Sequence, residues 1–190
     1  RMHAPSCPRS TSPQTAALYV ALAAGTLLFA FALRYASLYE PRWYGDEGIF
    51  AAIAQNMREG RTLYAQAWDN KPPLIFFTYA GIQSLFGTSV FALHLVTTAA
   101  VLATQAAVMA IGALLYGGRR AIVAGGLFAL AMGTPVIEGN LAMTETFMIL
   151  PASLAVLVFV IAEPRGDASV AYYAAVGLLV GIAAGYKQVA

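Results

Sequence analysis

A chain of 190 residues that is 59% hydrophobic and 11% charged, with a mean hydropathy of +0.68 and apolar runs of about 18 residues or more, reads as a polytopic membrane protein. A single soluble core does not absorb runs of that length. A formal net charge of +2 is too small to argue for nucleic acid, and the lone Cys7 excludes an internal disulfide.

The expected fold is all-α, with about five transmembrane helices and amphipathic surface helices in a first outer loop. Residues 1–14, rich in Pro, Ser and basic side chains, are expected to form a disordered cytoplasmic tail. The run from Thr15 to Leu33 outlasts a signal-peptide core of about 7–15 residues and is read as a retained span. Residues 34–89 form a loop of intermediate polarity. Val90 to Tyr116 is the second span, Gly117-Gly118-Arg119-Arg120 a tight basic turn, and Ala121 to Ile137 the third span. A connection from Glu138 to Thr144 leads into the fourth, Glu145 to Ala162; after E-P-R-G-D-A-S the fifth begins near Val170.

The basic residues orient these spans. With the N-terminus cytoplasmic, Arg1, Arg9, Arg119, Arg120 and Arg165 lie inside, and only Arg34 and Arg42 lie close to a span end outside. This places the loop 34–89 on the extracytoplasmic face of a cell membrane.

Within that loop, Ile49, Phe50, Ile53, Ala54 and Met57 recur at helical spacing and form one apolar face, with Gly60 just past the end. Pro72-Pro73 start a second apolar segment, Leu74 to Phe86, too short to cross. Both are expected to lie on the membrane surface.

The loop also carries the candidate chemistry. Asp46 and Glu47 open the first surface helix, where a cap and a favourable dipole explain them as readily as catalysis does. Lys71 in W-D-N-K-P-P-L is either a solvated loop lysine or a cation fixed by its prolines to meet a lipid phosphate. In E-G-N-L-A-M-T-E-T-F-M, Thr144 before Glu145 reads as a helix start. Yet the assumed topology puts Glu138 and Glu145 on the same side as Asp46. Asp69 beside Lys71 and Arg58 at the end of the first surface helix complete the candidate substrate contacts. The isolated histidines and unclustered carboxylates offer no metal-ligand spacing, and no cofactor is expected.

The order D-E-G-x-F-x-x-I-A, then W-D-N-K-P-P-L followed by an aromatic run, then L-F-G-T-S-V-F-A-L-H-L, resembles the N-terminal part of the GT-C glycosyltransferases of the protein-mannosyltransferase and aminoarabinose-transferase group. The resemblance implies sugar transfer from a polyprenyl-phosphate donor to an acceptor hydroxyl, with Asp46 near the acceptor. It implies a second acid at Glu145, a donor-phosphate lysine at Lys71, and a looser match of Lys187 to a Lys-Gly segment. Asn70 stands where relatives often have Glu, and His94 where they often have Arg; a single His near a helix end is expected to be packed and hydrogen-bonded. Relatives continue for several more spans, so the chain is expected to be an N-terminal portion, inactive by itself. The competing reading is a non-catalytic membrane module, a transporter fragment or assembly subunit whose outer loop binds a partner. Transporters place polar groups at mid-membrane, whereas here the ionisable residues avoid the span centres.

Overall fold

The computed structural model describes residues 13–41, 45–134, 137–163 and 169–188. The expected tail, except for its last two residues, and the arginines at 1, 9, 42 and 165 lie outside the described residues. The elements are α1 (Pro13–Arg34), a 3-10 turn (Ala36–Tyr39), α2 (Gly45–Arg58), α3 (Leu74–Phe86), α4 (Val90–Tyr116), α5 (Gly118–Gly133), α6 (Thr144–Ala162) and α7 (Val170–Tyr186). The fold is that of an all-α membrane protein.

Three stretches are long and apolar enough to cross a membrane: Gln14–Tyr39, Val90–Tyr116 and Thr144–Ala162. Helices α5 and α7, with 16 and 17 residues, pack beside them. At about 24 and 26 Å they fall short of a hydrocarbon core of about 30 Å. Helix α5 also sits nearer the N-terminus than the expected Ala121 to Ile137. It starts at Gly118, after Gly117 turns the chain at φ 86°, and ends at Thr134, whose extended backbone (ψ 136°) is what a residue before proline favours.

Helix α4 is central, packed on α1, α5 and α6, with α7 against α6. Its start is capped as its sequence dictates, the Ser89 hydroxyl accepting the Ala92 N–H at 3.2 Å. The helix directions alternate. The C-terminal ends of α1, α5 and α7 and the N-terminal ends of α4 and α6 therefore meet at one end of the bundle.

Arg34 ties that end together. Sequence reading treats it as an outer-loop charge, but it is 1% exposed. Its guanidinium donates to Met132 O on α5 at 3.1 Å, to the carbonyl of Gly139, and more distantly to Thr98 Oγ1 and Asn140 O. With no carboxylate on it among the described residues, the buried guanidinium is held by the number of carbonyls it satisfies. Gly139 makes the close return possible, since a Cβ there would lie 2.8 Å from the Met132 backbone.

Helices α2 and α3 pack on each other and on the starts of α4 and α6. Phe50, Ile53 and Ala54 meet Phe76, Tyr79 and Ile82, with Leu93 and Phe147 beneath. The rings of Phe76 and Tyr79 each meet Phe50 in a T-shaped arrangement with centroids 5.8 Å apart. The apolar face of α2 is turned slightly from the expected one: Ile49 is 44% exposed and Ala51 is buried in its place. Gln83 of α3 fixes that rotation by donating to Ala51 O at 2.9 Å. With 13 residues, α3 spans about 20 Å and is too short to cross.

Candidate functional site

Asp46 lies within the first turn of α2, which begins at Gly45, and not at the expected cap position. Its carboxylate faces Lys71, Oδ2 to Nζ 3.9 Å, with the two side chains 35% and 30% exposed. Lys71 is held by its loop. Asp69 Oδ1 accepts the Lys71 N–H at 3.1 Å, and the Tyr64 hydroxyl donates to the Lys71 carbonyl at 2.7 Å. Burial, and after it the charge of Asp69, push the Tyr64 phenol above its ordinary value, keeping it a donor. Tyr64 takes φ 67°, and Glu138 in the other connection takes φ 55°. Such left-handed backbone in residues other than glycine needs a surrounding structure that enforces it.

Glu47, expected with Asp46 as a catalytic carboxylate, is turned inward and has no exposure. Its Oε1 accepts the Ala142 N–H at 2.6 Å and lies 3.3 Å from His94 Nε2. His94 Nδ1, 2.6 Å from the Ser37 carbonyl, carries a hydrogen toward it. A hydrogen bond on the other ring nitrogen then needs one more proton, on the imidazole or on the carboxyl. As expected, His94 is packed and hydrogen-bonded. What the sequence does not disclose is the partner: Glu47 joins α2, α4 and the connection leading into α6.

Glu145 and Lys187 form a second ion pair, with side chains 47% and 40% exposed. Thr144, expected as a cap, instead donates its hydroxyl to Glu145 Oε2 at 2.6 Å. Lys187 reaches Glu145 because the end of α7 is docked: Tyr186 stacks on Phe147, centroids 5.9 Å apart, and shares a hydrogen bond of 2.8 Å with Thr78. Gly185 admits Leu74, whose Cδ1 would lie 2.6 Å from an added Cβ. Because Leu74 directly follows Lys71-Pro72-Pro73, this contact sets the two ion pairs on neighbouring elements. Glu138 lines a cavity of about 220 Å³ with Glu145, Met132, Ile137 and Met143. Arg58 stands apart, exposed at the end of α2, and no ion pair with it occurs among the described residues. Nor do three or more His, Cys, Asp or Glu side chains gather there as a metal cage.

These features define a multi-pass helical membrane protein with two carboxylate–lysine pairs at one end of its bundle. Residues 70–190 match the dolichyl-phosphate-mannose-protein mannosyltransferase family. The chain belongs to that family and is a membrane glycosyltransferase of the GT-C type. No curated protein and no solved structure matches it. The family match takes in Lys71, Glu138, Glu145 and Lys187 and begins after Asp46 and Glu47, so the pairing of Asp46 with Lys71 is what links the two parts.

Proposed function

We propose that the chain contributes the site at which a sugar passes from a polyprenyl-phosphate donor to an acceptor hydroxyl, on the extracytoplasmic face and with inversion. The observation that carries this reading is the approach of Asp46 and Lys71 to 3.9 Å from separate segments. The acceptor oxygen attacks the anomeric carbon as the bond from that carbon to the phosphate oxygen breaks, and the phosphate leaves with the electron pair. A phosphate monoester is a weak base, so its departure needs no protein acid, in contrast to the two-carboxylate arrangement of glycosidases. Asp46 takes the hydroxyl proton, and Lys71, whose ammonium has three donors, holds the phosphate. Lys187 supplies a second cation; Glu145 and Glu138 orient hydroxyl groups of the sugar or acceptor, while Asp69 fixes the backbone of Lys71. A single displacement inverts the anomeric centre.

The test is transfer of a labelled sugar from its polyprenyl phosphate by the intact protein in membranes. Lys71→Ala is expected to raise the donor KM about tenfold or more at unchanged folding, with partial rescue by Arg, because a planar fork and a point charge do not occupy the same geometry. Unchanged donor dependence in the Ala variant returns Lys71 to a solvated loop residue.

The sidedness has its own check. With Cys7 replaced by Ser, single cysteines at Ala65 and Ser169 sit in exposed positions at opposite ends of the bundle. Only the first is expected to react with an impermeant maleimide in intact cells. Labelling at Ser169 alone inverts the topology and removes the extracytoplasmic mechanism.

A further inference from the structure

The other end of the bundle holds a pocket to which the proposed transfer assigns no role. The turn between α4 and α5 borders a pocket of about 490 Å³ lined by Tyr19, Tyr116, Arg119 and Arg120 with the backbone of Gly117 and Gly118. An apolar groove of about 350 Å³ shares Tyr19 and Gly118 with it and continues between α1, α4 and α5 past Leu27, Ala106 and Met109. A basic pocket opening into an apolar groove has the form of an amphiphile, with an anionic head and a hydrocarbon tail.

We propose that this pocket and groove bind an anionic diacyl phospholipid, its phosphate at Arg119 and Arg120 and one acyl chain along the groove. Three observations converge. The arginines lie in the first turn of α5, which has no acidic residue, so both cations oppose the helix dipole, and a bound phosphate relieves them while accepting the free N–H groups. Arg120 uses one donor on Tyr116 O at 3.2 Å, and no ion pair of either arginine occurs among the described residues. Their remaining planar donors suit phosphate oxygens. Finally, the Tyr19 ring is held over the turn, 3.0 Å from where a Gly118 Cβ would be, and α1 has only 6% of its span buried. The mouth of the groove is thus open to lipid and rimmed by the tyrosines typical of the membrane–water boundary. The site lies at the opposite end from Asp46 and Lys71 and is independent of the donor.

Native mass spectrometry of the intact detergent-purified protein tests this with phosphatidylglycerol and phosphatidylcholine of identical acyl chains, and with glycerol phosphate and polyprenyl phosphate as competitors. Phosphatidylglycerol is expected to be retained about tenfold better than phosphatidylcholine. Arg119→Gln/Arg120→Gln should abolish that preference, and the double Lys variant should keep most of it. Ala106→Trp, at an exposed position in the groove, should lower phosphatidylglycerol retention without touching the arginines, which keeps the test valid if the Gln variant misfolds. Equal retention of the two lipids, an unaltered preference in a folded Gln variant, or an unaltered retention in Ala106→Trp overturns the proposal. So does competition by glycerol phosphate at the concentration of the lipid, which would leave the groove without a role, or preferential retention of polyprenyl phosphate.

Discussion

Asp46→Asn is expected to leave the intact protein at wild-type expression and thermal stability while transfer falls at least about 100-fold, the low end for a general base. The two roles of Asp46 separate cleanly in this variant. Its structural contribution is a charge in the first turn of α2, worth about 0.3–1 kcal/mol, and a partly exposed ion pair with Lys71, worth about 0–1 kcal/mol. Asn keeps the shape and most of the helix start. It cannot take a proton from an acceptor hydroxyl, whereas a carboxylate can. A hundredfold loss corresponds to about 2.7 kcal/mol of barrier, well outside what lost capping does to a folded protein's turnover. Near-normal transfer in a stable Asn variant would falsify the base assignment and leave Asp46 as a helix-start residue that also neutralises Lys71.

Glu47 is expected to behave in the opposite way: Glu47→Gln should keep both fold and turnover, and Glu47→Ala should lose about 3–5 kcal/mol of stability, the cost of breaking a buried pair from one side. The Gln amide oxygen accepts the Ala142 N–H as Oε1 does now. Both contacts converge on Oε1, and Oε2 has no hydrogen-bond partner. The amide nitrogen therefore starts at the Oε2 position and donates to His94 Nε2 after a small rotation of the side chain, with which one neutral group replaces the carboxyl and its shared proton. Ala removes the partner of both the Ala142 N–H and His94 Nε2, leaving His94, 1% exposed, with only its bond to the Ser37 carbonyl among the hydrogen bonds described. The damage should spread, because Glu47 is where α2 is fastened to α4 and to the connection before α6. Chemical or thermal unfolding of the purified variants reads the difference. If Gln and Ala lose stability equally, the hydrogen-bond account is wrong. If Gln stays folded yet loses transfer by about 100-fold or more, Glu47 belongs in the chemistry after all.

Most of the helices were legible because lipid and helix geometry impose lengths and periods on a sequence. Val90 to Tyr116 and Leu74 to Phe86 emerge with the expected ends, since Ser89, Gly117, Pro73 and Gly87 punctuate them locally. Helix α5 was displaced because apolar residues run on past Gly133 while the backbone before Pro135 does not continue as helix. Site residues divide along the same line. Lys71 stood out from flanking prolines and Asp46 from its place at a helix start, both local signals. Arg34 was misread because a basic residue at a span end has the same sequence signature whether it reaches water or folds back onto carbonyls. The one hint was Gly139, far along the chain, which lets the connection come close.

The amino-acid sequence by itself determined that the chain is a helical membrane protein, where most helices start and stop, and that its ionisable residues collect at the span ends. Those properties depend on hydrophobicity, helix period and turn chemistry, which act over a few turns of chain. Tertiary structure alone decided which ionisable residues meet: Asp46 with Lys71, Glu145 with Lys187, and Glu47 with His94. Adjacent carboxylates in one helix turn point about 100° apart, so Asp46 and Glu47 necessarily face different surroundings. Whether one of them meets solvent or the core depends on how α2 rolls against α3, a rotation set by Phe50, Gln83 and the packed rings of Phe76 and Tyr79. No stretch of sequence short enough to read as a motif contains that information.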